Sequence, residues 1–246
     1  MVNFHRAGDI KSASLHILFL LYGDPGVGKT HAVSLSPRPF VLLTEKNGMT
    51  TVIRANPDAI VCLVTNVDEL REVIRMAVKG ELPEDRRTFV VDGLTEVQRL
   101  FYDEIMSKKK PGDIFMLQDW GTLAEKMRRF MRTLRDLPYH VAATALSETR
   151  EADDGVRYTR PQFDGKKTGS EVAQYFNGVA YMFKRVTTDA DGNRKVIHQA
   201  MFDGPSKYIV KPCHPVAGIM DTNVGEWFEA LRGSDEDNNA EQAGGS

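Results

Sequence analysis

Short runs of consecutive apolar residues alternate along the chain with longer segments whose apolar positions recur every three or four residues. Ile17–Tyr22, Phe40–Thr44, Ile60–Val64, Thr88–Val91, Val141–Ala145 and Val179–Lys184 are rich in Val, Ile, Leu and Phe without strict alternation. That is the pattern of strands covered on both faces of a parallel sheet. Asp68–Lys79, Leu94–Met106 and Trp120–Leu137 predict helices. In the last of these, Leu123, Met127, Phe130, Met131 and Leu134 share one side, while Lys126, Arg128, Arg129, Arg132 and Arg135 fall largely elsewhere. Strand–helix alternation predicts an α/β fold, an open and mostly parallel sheet flanked by helices with right-handed crossovers. The last third differs. Asp189-Ala190-Asp191-Gly192-Asn193 places Asp-Gly between two strand-like runs and predicts a hairpin. Val196–Phe202 and Tyr208–Val210 continue as strands, which adds antiparallel strands near the C-terminus. Val224–Leu231, with Trp227, Phe228 and Leu231, predicts a final amphipathic helix that docks on the core.

The 246 residues are 41% hydrophobic and 27% charged, enough to bury a sizeable core. With 32 bases against 34 acids the net charge is -2, which excludes a polycation whose bulk charge would explain its partners. Asp235, Glu236, Asp237 and Glu241 give residues 233–246 an acidic character without a single Lys or Arg. The expected organisation is a lead-in over 1–14, one folded domain over 15–232 and a disordered acidic tail over 233–246. Two cysteines, Cys62 and Cys213, form no disulfide framework and fit a reducing compartment. The longest apolar run, Leu15–Tyr22, is too short to span a bilayer, so the expectation is a cytoplasmic protein with no membrane contact.

The sharpest chemical signal is Gly23-Asp24-Pro25-Gly26-Val27-Gly28-Lys29-Thr30, a complete G-x-x-x-x-G-K-T between a strand and a helical segment, Thr30–Leu35. Glycines let successive N–H groups turn into one anion-sized hollow at a helix N-terminus. Lys29 supplies a point charge for the outer phosphates, and the Thr30 hydroxyl is the expected Mg²⁺ ligand. The motif predicts an ATP–Mg²⁺ site. Asp92, ending the strand that begins at Thr88, is the candidate acid for the cation, although it also suits the N-cap of the following helix. Many AAA+ ATPases place a Glu directly after that acid, where Gly93 stands here. Glu45, at the end of the strand Phe40–Thr44, is the candidate for orienting the attacking water; its other reading is a turn residue paired with Lys46.

The order P-loop, strand-ending Glu45, a further strand near Ile60–Val64 and strand-ending Asp92 resembles the RecA-like P-loop ATPase core. More narrowly, Leu21–Thr30 with Phe40–Glu45 is similar to the bacteriophage nucleotide-binding proteins, a group that includes RecA-like single-strand annealing proteins. The resemblance implies ATP hydrolysis with Glu45 as the water-activating residue and Asp92 as the Mg²⁺ acid. It also implies action on single-stranded DNA in recombination or annealing, assembly into a ring or filament, and a single-strand binding protein or other recombination partner. A polar sensor of the γ-phosphate is implied after the strand Val141–Ala145, where Thr144, Ser147 and Glu148 are candidates beside the alternative of an ordinary strand end. A trans-acting basic residue is implied at Lys211, although Cys213 stands where relatives commonly carry an Arg.

Two polar loops are the candidate DNA contacts. One carries Lys108, Lys109 and Lys110. The other, Glu148–Gly169, interleaves Arg150, Arg157, Arg160, Lys166 and Lys167 with Tyr158 and Phe163. Basic side chains tracking phosphates, with aromatics to stack bases, are the ingredients of single-strand binding. Glu151, Asp153, Asp154 and Asp164 keep a solvated charged loop as the other reading. The alternative function is a P-loop motor or loader that remodels a replication or packaging complex through protein contacts. A small-molecule kinase is a third possibility, for which no arginine-rich lid is evident.

Overall fold

The computed structural model describes residues 16–151, 155–165, 168–189 and 192–232. The lead-in, the acidic tail, Lys166 and Lys167 therefore lie outside the described residues.

Five parallel strands form the centre of the fold: β2 (Pro39–Leu43), β4 (Thr88–Asp92), β5 (His140–Glu151), β1 (Leu18–Gly23) and β7 (Gly178–Thr188), in that spatial order. β3 (Ile60–Leu63) extends the sheet beside β2. On the other side, β8 (Arg194–Met201) and β9 (Ile219–Asp221) add antiparallel to β7. β1 explains why its apolar run is unbroken. Leu18, Leu20 and Tyr22 enter one core layer and Phe19 and Leu21 the other, so no face is left for a polar residue.

α3 (Val67–Lys79), α4 (Leu94–Ser107) and α5 (Leu117–Arg135) bury their apolar stripes in the first layer. α3 starts where Asn66 accepts bonds from the N–H groups of Asp68 and Glu69, both 3.0 Å, and stops at left-handed Gly80. α1 (Lys29–Ser34) and the helical residues 224–232 cover the second layer, where Trp227 and Phe228 pack on Phe19. α2 (Gly48–Ala55) was not foreseen. Its Thr-Thr-Val-Ile run is a poor helix former, and only Val52 is buried, so its placement against α1 is a tertiary effect.

The largest correction concerns Glu148–Gly169, expected as an irregular loop. β5 runs on through Glu151 and pairs antiparallel with β6 (Arg157–Pro161), and the chain then enters α6 (Thr168–Ala173). Polar residues disguised this ribbon because it stands beyond the edge of the covered sheet. Tyr208–Val210, expected as a strand, makes only single bridges, with Thr159 at Tyr208 and Val179 at Lys211, because it crosses from β6 to β7.

Candidate active site

The P-loop leaves the end of β1 at Gly23, which is wedged against β7: a Cβ there would lie 2.5 Å from the Met182 carbonyl oxygen. Gly26 and Gly28 take φ of 75° and 93°, turns that L side chains resist, and Gly28 leads directly into α1. Lys29 reaches back, its Nζ donating to Gly23 O at 2.8 Å and Asp24 O at 2.9 Å. Burial lowers the Lys29 pKa, opposed by the nearby carboxylates of Asp92, Asp24 and Glu45.

β5 lies between β1 and β4, and this order brings three elements onto one carboxylate. Asp92 Oδ2 accepts from Thr30 Oγ1 at 2.8 Å, and Oδ1 accepts from Thr144 Oγ1 at 2.6 Å. Asp92 does not cap α4; Gly93 holds that position, and the carboxylate turns into the site instead. Burial of the carboxylate raises its pKa, although both hydroxyl bonds and Lys29 favour the charged form. Thr44, at the end of β2, was not singled out from the sequence. Its Oγ1 donates to Asp92 O and accepts from Gly93 N, both 3.2 Å, fixing the strand end from the other side.

These residues line a cleft of about 440 Å³ that also takes in Glu45, Asn47, Gly48, Thr51 and Glu96. Its chemistry suits a nucleoside triphosphate with a hard cation: a glycine-turned N–H loop, one half-buried lysine and a hydroxyl hydrogen-bonded to a carboxylate. Glu45 is exposed and lies on the cleft wall close enough to Lys29 to act on its charge. Glu96, from the first turn of α4, is a second carboxylate on that wall which strand-end reasoning overlooked.

Of the sensor candidates, Thr144 touches Asp92 and Ser147 hydrogen-bonds Asp24 of the P-loop. Glu148 is turned away, bridging Arg160 at 2.7 Å and Arg150 at 3.0 Å. The DNA candidates fare differently. Arg160 is buried, with 1% of its side chain exposed, and Phe163 belongs to the core, so neither presents a surface to a polymer. These two are corrected: Glu148 neutralises Arg160 inside the fold, and α4 and α6 close over the segment that carries Phe163. Lys108 pairs with Glu104, Lys109 with Asp119 and Arg157 with Glu151; Lys110 is exposed. Lys211 donates to Phe176 O at 2.8 Å beside the start of β7, away from the P-loop end of that strand.

The sequence from residue 16 to residue 209 matches the AAA domain family AAA_24. The chain belongs to this AAA domain family. No curated protein sequence matches it. Two solved structures show distant similarity to this chain. The flagellar accessory protein FlaH from Methanocaldococcus jannaschii is 9% identical, with 75% of this chain and 77% of that chain covered at a TM-score of 0.39. The assembled ATPase EscN from the enteropathogenic E. coli type III secretion system is 12% identical, with 68% of this chain and 43% of that chain covered at 0.46. Among the described residues no helix is long and apolar enough to cross a membrane.

Proposed function

We propose that this AAA domain is a Mg²⁺-dependent ATPase working as an oligomeric motor or loader that remodels a complex through protein contacts. The observation that carries the ATPase chemistry is Asp92, held between Thr30 of the P-loop helix and Thr144 of β5 at the floor of the cleft. A cation held at Thr30 and Asp92 would take the rest of its shell from phosphate oxygens and water. When bound with ATP, Mg²⁺ neutralises charge on the phosphates. Lys29 exchanges its carbonyl partners for a phosphate oxygen. Glu45 orients the attacking water and accepts its proton as the bond between the γ-phosphorus and ADP breaks. Ser147, tied to Asp24, suits a role in relaying the state of the loop to the β5–β6 ribbon.

Two observations support protein contacts as the coupled event. Of the bases expected to meet DNA, Arg160 is buried against Glu148 and Lys109 is largely covered beside Asp119. The tip joining α4 to α5, by contrast, exposes Ile114, Met116, Leu117 and Trp120, with Leu117 87% accessible. Clustered exposed apolar side chains of this size favour a macromolecular contact. A RecA-like core is supported by β5 lying between β1 and β4 and by the antiparallel strands beyond β7. Coupling to single-stranded DNA in phage-type recombination or annealing is the second reading, supported by exposed Lys110 and Arg157 at the two ribbon and loop sites.

The test is ATP hydrolysis by wild type and Glu45→Gln, with and without single-stranded DNA. The expected result is turnover indifferent to DNA, lost in the variant while ATP binding persists. DNA-stimulated turnover would overturn the protein-contact reading in favour of annealing, and an active variant would remove Glu45 from the site.

A further inference from the structure

The β7–β8 hairpin rises past the P-loop and touches it. Lys184 and His198 face each other across the two strands on the P-loop side. His198 Nδ1 lies 2.8 Å from Val27 O, its ring stands 3.3 Å from where a Cβ on Gly28 would sit, and Lys184 Nζ is 3.9 Å from the same point on Gly26. The outer side of β8 is only partly covered. β9 pairs with Gln199, Ala200 and Met201, and among the described residues no strand pairs with the outer side of Arg194–His198. An open strand edge is a template for another strand.

The side chains around this edge define what fits. Lys184, Arg185, Arg194 and Lys195 are exposed, and among the described residues none of them lies within ion-pair distance of a carboxylate. Between Lys184 and His198 the sequence carries four bases against two acids, in a chain whose net charge is -2. Val186 and Val196, directly opposed, are each 53% exposed. A polyanion alone would leave that valine pair in water. An extended segment alternating acidic and β-branched residues would pair with the backbone edge, set its acids on the face that carries Lys195 and Arg185, and lay its β-branched residues beside Val196 on the other face.

We propose that Arg194–His198 accepts an acidic, extended segment of a partner protein by strand addition, and that His198 conveys its arrival to the P-loop. The proposal rests on the protein-contact reading of the ATPase and adds a second contact surface to the apolar tip between α4 and α5. Added backbone bonds would stiffen β8 at the residue that holds Val27 O, so occupancy of the edge and geometry of the phosphate loop are linked.

A labelled octapeptide of alternating Glu and Val serves as the probe, with its Lys–Val counterpart as control and fluorescence anisotropy as the readout. Wild type is expected to bind the acidic peptide at least tenfold more tightly than the basic one and to change its ATP turnover on binding. The double substitution Arg194→Glu with Lys195→Glu is expected to weaken binding at least tenfold, with basal turnover and melting temperature unchanged. His198→Asn is expected to keep the peptide and lose the turnover response. Equal affinity of wild type and the double variant would overturn the proposal, as would a response that survives in His198→Asn. An oligonucleotide that binds in place of the peptide and is lost with the same two residues would make nucleic acid the occupant and also overturn it. Binding is read without hydrolysis, so an inactive ATPase would refute the functional reading while leaving the edge testable.

Discussion

Replacing Asp92 by Asn removes one buried negative charge and keeps the side-chain shape. Two effects oppose each other. Hydrogen bonds to a charged acceptor contribute about 1.5–3 kcal/mol against about 1 kcal/mol for neutral ones, so the bonds from Thr30 and Thr144 lose roughly 1–4 kcal/mol together. Burying an ion, however, costs several kcal/mol, on the order of the whole stability margin of many domains. The Asp92 pKa is raised despite both bonds and the nearby Lys29, so burial outweighs them. Asp92→Asn without nucleotide should therefore be the more stable protein at neutral pH, by about 1 kcal/mol, or about 2–4 °C in melting temperature for a chain of this length. The folded carboxyl takes up a proton at a higher pH than the unfolded one. The penalty is thus present above the folded-state pKa and relieved on acidification through it, and the gap between the proteins should close as pH falls. Nucleotide reverses the order. Mg²⁺–ATP at a hundred times its Kd stabilises wild type by about 2.7 kcal/mol, and the variant should gain less. Its turnover should fall roughly 100-fold or more. Thermal melts from pH 5 to 8 with and without Mg²⁺–ATP, beside a phosphate-release assay, measure all of this. A variant that melts below wild type at neutral pH, or shifts equally with Mg²⁺–ATP, would refute the reasoning.

Other parts of the fold give simpler tests. His140 Nδ1 accepts from Ile17 N at 3.1 Å, and burial, then the charges of His16, Arg232 and Arg87, push its pKa down to about 4. The unfolded chain takes up this proton first, so stability should decline as pH falls from about 6.5 toward about 4. His140→Asn, which cannot titrate, should flatten the difference in denaturant midpoint across that window. A substitution at Gly23 tests the wedge against β7: Gly23→Ala should cost about 1–3 kcal/mol, because its new methyl meets backbone that cannot step aside. Unchanged urea unfolding would show that β7 yields. Glu104 is partly desolvated, yet bonds from Lys108, Arg71 and Lys126 hold its pKa at about 2. Glu104→Gln should loosen the α4–α5 tip, seen as faster amide exchange at Ile114–Trp120 with the P-loop unaffected.

What the sequence determined by itself was local. An apolar run covered on both faces reads the same wherever it is placed, so the central strands were legible, and so were the helices with long apolar stripes. The P-loop was legible because its conformation is written in glycine spacing and needs no distant partner. Asp92 and Glu45 could be named from their places at strand ends. Their surroundings could not, since Thr30, Thr144 and Thr44 converge only because β5 inserts between β1 and β4. Charge was the least legible property. Arg160 and Lys109 look like surface bases in one dimension, and each has a carboxylate waiting in the fold. Lys184 and Arg194 drew no notice, yet their hairpin stands beside the phosphate loop. A base's worth depends on what lies within a few ångströms of it, and strand order, which places distant segments side by side, sets that.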